Sequence, residues 1–358
     1  MRRTRTLIVI AAALWAAAAW SQARPETPAL EGMDPVLLTE GKEMPGQEAL
    51  TLKHGRFIYQ FTSEETRERF RRDPAKYSIQ LDGACARMGP PTGGSKDAYF
   101  VYENRIYVFG SNDCYKKFSA NPDKYLESKQ PKEPWNPTPT TVKQGQALLK
   151  KALEAMGGAA RWDAIQSYVE TRHRDTPRGT QVMTVTVRWP DSFRSETKQG
   201  EMSFGGLITP AGKYNVFRGE GVAVPESFGP AMLAEWRRDL LSLLLARKAK
   251  GFEVYHAGRS GDAELLAVNN QGALATLVLD PTTGQITAVK SRGRNADGFG
   301  EARIAYSDYR ESGGLRLPFL AEGTFAGDPS PGRSWVVDSY QFNPPDVDAK
   351  FQVKVVER

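Results

Sequence analysis

The sequence predicts an α+β protein in which a duplicated β-hairpin and helix module precedes a curved antiparallel sheet covered by helices. Three observations predict this class. A short segment recurs 48 residues later. Prolines interrupt residues 129–144. In the rest of the chain, apolar and polar residues alternate as in strands, before and after two apolar helical segments. Of the 358 residues, 40% are hydrophobic and 25% are charged, which is typical of a folded protein.

Residues 1–23 predict a signal peptide. Three arginines precede the apolar run 7–20, and Ser-Gln-Ala at 21–23 is a small-residue cleavage site. The run is shorter than the roughly 20 residues of a spanning helix, so we favour cleavage over a single-pass anchor. Removing the three arginines from the net charge of +6 leaves +3. That charge is too small for nucleic-acid binding, and we expect a periplasmic or secreted protein without a membrane span.

The first domain is predicted over residues 28–128 and contains the repeat. Residues 57–77 recur as residues 105–125, and each copy has strand-like alternation, a serine that can cap a helix, and an Asp-Pro or Asn-Pro stop. The unit is therefore a hairpin followed by a helix. Because so small a unit cannot bury its aromatic face alone, we expect the two copies to pack together. A semi-rigid linker is predicted at 129–144 and a second domain at 145–358.

Residues 30–127 resemble a tandem YHS domain in which the second copy is a degenerate partner of the first. The resemblance rests on Gly-Met-Asp-Pro-Val at 32–36, the segment 54–63, Asp-Pro-Ala-Lys-Tyr at 73–77 and Gly-Ala-Cys-Ala at 83–86. The YHS resemblance implies a metal-linked role. This sequence departs from the metal-binding pattern because Leu37 stands where metal-associated relatives often have a cysteine.

Cys85 and Cys114 are the only cysteines. Export to an oxidising compartment favours a disulfide between them. Two alternatives stay open, namely a soft metal such as copper, held by both cysteines with Met33 or Met88, and two unlinked thiols. His54 is predicted to be a solvated turn residue.

The second domain is predicted to start with a helix capped at 141–144 and ended at Gly157. A second apolar helix is predicted over 231–250. Strands are predicted at 167–175, 180–189, 192–198, 201–207, 253–257, 264–268, 273–279, 285–292, 299–309, 319–325 and 334–342.

This domain resembles the periplasmic lipoprotein-carrier (LolA-like) family over about residues 145–357. The resemblance rests on Met-Gly-Gly at 156–158, Leu-Asp-Pro at 279–281, Tyr-Ser-Asp-Tyr-Arg at 306–310 and Phe-Asn-Pro at 342–344. It implies an antiparallel half-barrel whose helical lid holds acyl chains. The candidate pocket residues are Met232, Leu233, Trp236, Leu240, Leu244, Trp189, Phe193, Phe204 and Phe217. The alternative is that the helix fills the sheet and these side chains form a core.

Four arginines, Arg172, Arg174, Arg188 and Arg194, lie on adjoining predicted strands. They could meet an acidic head group, but a solvated strand face is favoured. The three histidines lie in no HExxH motif, and neither GxSxG nor a phosphate loop occurs. We therefore predict a non-enzymatic envelope protein that requires no cofactor and binds a lipid or other apolar ligand. The alternatives are copper-type metal binding or sensing by the YHS module, and a scaffold for an envelope protein partner.

Overall fold

A computed structural model describes residues 27–325 and 333–356. The predicted signal peptide lies outside the described residues. The strands are β1 (Gln47–His54), β2 (Phe57–Phe61), β3 (Ser95–Tyr102), β4 (Arg105–Phe109), β5 (Ser167–Thr176), β6 (Gly179–Arg188), β7 (Ser192–Gln199), β8 (Met202–Thr209), β9 (Gly212–Phe217), β10 (Glu220–Ala223), β11 (Phe252–Ser260), β12 (Ala263–Asn270), β13 (Ala273–Leu279), β14 (Ile286–Asn295), β15 (Gly298–Ser312), β16 (Leu315–Phe325), β17 (Arg333–Phe342) and β18 (Lys354–Val355).

The α-helices are α1 (Pro35–Thr39), α2 (Glu64–Arg72), α3 (Pro74–Tyr77), α4 (Asn112–Ala120), α5 (Pro139–Ala155), α6 (Ala159–Asp163), α7 (Gly229–Arg237) and α8 (Leu240–Leu245). Short 3-10 helices occur at Leu30–Gly32, Gln80–Gly83, Pro122–Tyr125, Glu127–Lys129, Glu226–Phe228, Ala246–Lys248 and Val347–Phe351.

The duplicated segment forms two hairpin and helix units, as predicted from the repeat. Strands β1 and β2 form an antiparallel hairpin followed by α2, and β3 and β4 form another followed by α4. The predicted serine caps are present, because the Ser63 hydroxyl accepts a hydrogen bond from the Thr66 amide and the Ser111 hydroxyl accepts one from the Cys114 amide, each at 3.2 Å. These caps satisfy amides that the first helical turn leaves unpaired.

The two units pack together around equivalent aromatic residues. Phe70 and Phe118 are fully buried, with ring centroids 4.9 Å from Tyr59 and 5.4 Å from Tyr107 respectively. Ile106 of the second unit belongs to the core of the first. The two small units therefore bury their aromatic faces in shared apolar clusters, as expected for units too small to do so alone.

Within the described residues, fourteen strands form one curved sheet in the order β11-β12-β13-β14-β15-β16-β17-β5-β6-β7-β8-β9-β10-β18. Neighbouring strands are antiparallel except for β10 and β18, which are parallel. We call this the large sheet. It confirms the predicted α+β class with an extensive antiparallel sheet. Because β17 pairs with β5, the first and last long strands of this part of the chain meet in the middle of the sheet.

Helices lie against the large sheet. Helix α5 lies on β11, where a Cβ atom at Gly145 would be 2.6 Å from the Tyr255 Cα, so only glycine permits this approach. Helices α7 and α8, here called the helix pair, connect β10 to β11 and share a hydrophobic core with β11 at one end of the sheet and with β5 and β6 in its middle.

Several predicted boundaries were wrong. Helix α5 begins at Pro139, with Thr138 as its cap, and so includes residues 139–144 of the predicted linker; residues 131–138 have no regular structure. The predicted helix at 231–250 is divided, because Asp239 accepts hydrogen bonds from the Leu241 and Ser242 amides and starts a new helix. Strands β9, β10 and β18 were not predicted, and β16 starts before the predicted residue 319.

Candidate functional site

Three charged residues meet where the helix pair contacts the middle of the large sheet. Glu170 and Arg172 lie two residues apart on β5, and Asp239 lies at the start of α8. Because side chains alternate along a strand, Glu170 and Arg172 share one face with Tyr168, whose hydroxyl donates a 3.3 Å hydrogen bond to Asp239. We call Glu170, Arg172 and Asp239 the charged cluster.

Arg172 has few partners for a guanidinium with five donor hydrogens. Its Nη1 lies 3.4 Å from a carboxylate oxygen of Glu170, and its Nη2 donates to the Met183 sulfur at 3.0 Å. The guanidinium carbon lies 5.3 Å from the centre of the Trp335 ring. The Nε atom is buried without a hydrogen-bond partner. This side chain therefore retains capacity to bind an anion.

Burial controls the protonation of the two carboxyl groups. Burial, opposed by the attraction of Arg172 and aided by the charge of Asp239, raises the pKa of Glu170 to about 7. Burial also raises the pKa of Asp239, although Arg172 and the amides that Asp239 caps oppose that shift. The carboxyl group of Glu170 therefore keeps its proton to a higher pH than an exposed glutamate does.

Most of the predicted pocket residues lie between the helix pair and the sheet. Trp236, Leu240 and Leu244 belong to the core that the helix pair shares with the sheet, and Leu233 packs against it. Phe193 stacks on Trp236 with ring centroids 5.6 Å apart, and Trp189 meets the same ring edge-on at 6.1 Å.

The other three predicted pocket residues lie outside that shared core. Met232 is buried near β8, where its methyl carbon would be 3.5 Å from a Cβ atom at Gly206. Phe204 is 45% exposed, and its β9 partner Phe217 is half-buried. The structure therefore brings six of the nine predicted residues together in or against one hydrophobic core, which includes α7 and α8.

The helix pair leaves little space in this arrangement. The cavity beside the charged cluster measures about 10 Å³ and is lined by both apolar and charged side chains, including Leu240, Leu241 and Tyr340. A pocket for a small molecule has a volume of roughly 300–1,000 Å³. An apolar ligand on this face would therefore have to take the place of the helix pair.

The four arginines of the adjoining strands do not form one site. Arg188 pairs with Asp348 at 2.7 Å, and Arg194 donates to the Lys350 carbonyl at 2.8 Å. Arg174 stacks on Trp335 at 4.4 Å. For Arg172, the favoured interpretation of a solvated strand face was wrong, because its side chain is only 21% exposed and lines the cavity under the helix pair.

The two cysteines lie side by side in the second hairpin and helix unit. Both are buried free thiols. Burial raises the pKa of Cys114, but hydrogen bonds from the Ser111 and Cys85 side chains and from Arg87, 3.8 Å away, outweigh it and leave that pKa below the usual value of a thiol. Met88 packs against the same cluster. Met33 belongs to the core of the first unit, so the structure does not bring it to the cysteines.

Arg87 also connects the two hairpin and helix units, here called the hairpin module, to the large sheet. Its Nε donates to the Ala296 carbonyl at 2.8 Å, and Arg294 donates in return to the carbonyls of Ala86 and Arg87, the latter at 2.8 Å. The cysteine pair therefore lies next to the contact between the module and the β14–β15 turn.

A separate open cleft of about 230 Å³ lies in the first unit. Its lining includes His54, Tyr59 and Asp82. Asp82 accepts a 2.7 Å hydrogen bond from Ser227, which precedes the helix pair. His54, predicted to be a solvated turn residue, is exposed at the end of β1 and meets the Phe70 ring edge-on at 5.6 Å.

Sequence reasoning missed Glu170 and Asp239. Glu170 is buried beneath the helix pair, and it pairs with Tyr340, which lies 170 positions further along the chain. The available signal was local: a glutamate and an arginine two residues apart in a predicted strand occupy the same face, where an apolar residue is expected if the face is buried. Asp239 could have been found as an N-cap before the leucine run.

No protein-family model matches the chain, and no curated protein matches it. Among the residues that the structure describes, no helix is long and apolar enough to cross a membrane.

Several solved structures are similar at 10% sequence identity. A domain described as an outer membrane lipoprotein-sorting protein, from Vibrio parahaemolyticus, has a TM-score of 0.35 over 57% of this chain and 98% of that chain. A DUF1329 family protein from Desulfovibrio piger has a TM-score of 0.38 over 59% of this chain and 97% of that chain. A LolA superfamily protein from Nitrosomonas europaea has a TM-score of 0.33 over 58% of this chain and 97% of that chain.

Proposed function

We propose that this protein is a non-enzymatic envelope protein, exported by its predicted signal peptide, that binds a lipid or other apolar molecule between the large sheet and the helix pair. The observation that carries the proposal is helix α8. Its residues Leu240, Leu241, Leu243, Leu244 and Leu245 are all at most 7% exposed. A helix that is apolar all round needs an apolar partner on every side, and here one of those partners is the face of an open sheet.

The helix pair can leave that face without breaking the sheet. It connects β10, which lies next to one edge strand of the sheet, to β11, which is the other edge strand. Its residues pair with no strand. Among its polar attachments are the hydrogen bond from Tyr168 to Asp239 and one at 3.1 Å from Arg238 to the Leu274 carbonyl. A ligand that covers the apolar face can therefore replace the contacts that the helix pair makes there.

Binding of hexadecanol and palmitate to the mature full chain tests this proposal. Trp236 lies on the helix pair and stacks on Phe193, so displacement by either compound is expected to change its fluorescence. That change should be much smaller in Trp236→Phe, where Trp189 is the remaining tryptophan of this contact. It should persist in the matched variant Trp135→Phe, because Trp135 meets Tyr255 on β11 and lies outside the proposed site.

Native mass spectrometry of the same samples gives the stoichiometry, and one bound molecule per chain is expected. Hydrogen exchange should become faster in residues 240–245 as the helix leaves the sheet. A chain that retains neither compound, with unchanged exchange in these residues, would contradict the proposal.

The cysteine pair favours a second candidate function, the binding of one soft metal ion such as copper(I). Cys85 and Cys114 are adjacent, and thiolates are the ligands that such ions prefer. Arg87 would offset the negative charge of two thiolates around a monovalent ion. Within the described residues no group of three His, Cys, Asp or Glu side chains is placed to hold a metal, so the Met88 thioether is the proposed third donor.

Copper(I) titration against a competing chelator tests the second candidate. One equivalent is expected for the reduced chain, with loss in Cys85→Ser and in Cys114→Ser. Met88→Leu should weaken binding, whereas Met33→Leu should not, because Met33 lies in the other core. The mass of the denatured chain without reductant distinguishes the predicted disulfide from two free thiols, since a disulfide makes the chain lighter by two hydrogens.

A further inference from the structure

Helix α8 and its cap have the chemical layout of an anionic amphiphile. The Asp239 carboxylate stands at one end, next to Arg172, and buried leucines follow it along the sheet. Asp239 is half-buried and lines the cavity beneath the helix pair, so it is not a surface cap. The covering helix therefore presents to the sheet a carboxylate head followed by an apolar body.

Arg172 is the basic group that faces this carboxylate. Arg172 and Asp239 line the same cavity of about 10 Å³, and the two charges interact across it. The Glu170 carboxylate is 3.4 Å away, and the Nε of Arg172 is buried without a partner. A guanidinium in this state has unused donors for a planar oxyanion.

Departure of the helix pair would change the charge balance at this point. Asp239 belongs to the helix pair and would leave with it, whereas Glu170 and Arg172 are fixed in β5. Glu170 contacts only the Nη1 atom of Arg172, at 3.4 Å, and leaves the buried Nε unpaired, so it compensates Arg172 incompletely. Leaving a buried charge without its partner is costly, which favours a ligand that brings an anion of its own.

We propose that the ligand is a long-chain amphiphile with a terminal anion, and that Arg172 binds this anion in place of Asp239. This inference rests on the proposed function, because it requires the apolar body of the ligand to occupy the space of α8. A fatty-acid carboxylate and an alkyl phosphate share the required chemistry.

Affinities of four amphiphiles with the same chain length test the proposal: palmitate, hexadecyl phosphate, hexadecanol and hexadecylamine. They are measured at pH 8, below micellar concentrations, on the mature full chain. At least one of the two anions should bind about tenfold or more tightly than hexadecanol. Comparison of palmitate with hexadecyl phosphate identifies which head group is preferred.

In Arg172→Met the preference for the anion should disappear while the affinity for hexadecanol stays within about threefold. Arg188→Met is the matched control, because Arg188 pairs with Asp348 away from the cluster, and it should keep the preference. Asp239→Asn provides a second variant that keeps a capping oxygen. Since it removes the competing carboxylate charge, it should strengthen anion binding more than hexadecanol binding.

The outcomes separate the two proposals. Equal binding of anions and hexadecanol, or tighter binding of hexadecylamine, would overturn the role of Arg172 and leave the apolar-ligand function intact. Failure of all four compounds to bind would overturn both. An unchanged anion preference in Arg172→Met would also overturn the assignment, and if that variant does not fold, an unchanged preference in Asp239→Asn would do so.

Discussion

The Tyr168 hydroxyl donates a 3.3 Å hydrogen bond to the carboxylate of Asp239, the N-cap of α8, and so connects the middle of the large sheet to this helix. Tyr168 is fully buried. In Tyr168→Phe, the carboxylate loses a donor in a place that water does not easily reach. We expect a loss of about 1–3 kcal/mol in the free energy of unfolding, measured with urea.

Tyr102→Phe is the matched control for this prediction. It removes a 2.7 Å hydrogen bond that the half-buried Tyr102 donates to Asp123 at the surface. Because water can replace that partner, the expected loss is about 0.5 kcal/mol or less. Equal losses in the two variants would contradict a buried role for the Tyr168 hydroxyl.

Stability should depend on pH through Glu170. Burial raises the pKa of Glu170 from 4.5 to about 7, so between these values the folded chain binds more protons here than the unfolded chain. The free energy of unfolding should therefore fall as the pH rises through this window, by on the order of 1 kcal/mol for each pH unit. The charged and titratable groups facing Glu170 are Arg172, Asp239, Tyr168, Tyr306 and Tyr340.

Glu170→Gln tests this dependence in urea unfolding at pH 5, 6, 7 and 8. The variant should lose less stability across the series than the unmodified chain, although Asp239 still contributes in the same direction. Glu154→Gln, on the exposed side of α5, should follow the unmodified chain. Parallel curves for Glu170→Gln and the unmodified chain would refute a raised pKa for Glu170.

Asp34 should be the most sensitive polar residue of the first hairpin and helix unit. Its fully buried carboxylate accepts hydrogen bonds from the Val36 and Thr62 amides at 2.9 and 2.7 Å, and from the Thr66 hydroxyl at 2.7 Å. Asp34→Ala leaves these donors unpaired, so we expect a loss of about 3 kcal/mol or more. Hydrogen exchange in residues 57–61 measures the effect within this unit.

The control for Asp34 is Asp73→Ala. Asp73 caps α3 through one 3.2 Å hydrogen bond from the Lys76 amide and lies at the surface. The expected loss is about 1 kcal/mol, as for a single helix cap. A larger effect at Asp73 than at Asp34 would show that burial of the carboxylate is not what stabilises the unit.

Arg294 should hold the hairpin module against the large sheet. It donates to the backbone carbonyls of Ala86 and Arg87, and burial lowers its pKa to about 10. Arg294→Ala removes these hydrogen bonds, so hydrogen exchange in residues 84–89 should become faster. Arg178→Ala, in the exposed turn between β5 and β6, should leave that exchange unchanged. Identical exchange in the two variants would argue against this attachment.

Much of the local structure could be predicted from the sequence. The serine caps at Ser63 and Ser111 and the repeated positions of Phe70 and Phe118 follow from the repeat, and most strands of the large sheet follow from alternation. The break before α8 is harder to predict, because the apolar pattern continues across it. Only the hydrogen bonds that Asp239 accepts from the Leu241 and Ser242 amides divide the helix.

The candidate site was only partly predictable. Trp236, Leu240 and Leu244 were expected beside the sheet, and they are there. Arg172 was identified as an anion ligand candidate, but its environment was misjudged because nothing near it in the chain indicates that β17 pairs with β5 and that the helix pair covers this face.

The sequence by itself determined the elements whose signals lie within a few residues: alternating strands, capped helices, the duplicated unit and the proline-rich break. Only the tertiary structure decided that Cys85 lies beside Cys114, that α8 occupies the face of the sheet, and that Glu170 and Arg172 lie beneath it. These relationships depend on the pairing of β5 with β17 and on side chains from distant segments filling one space, which no local pattern specifies.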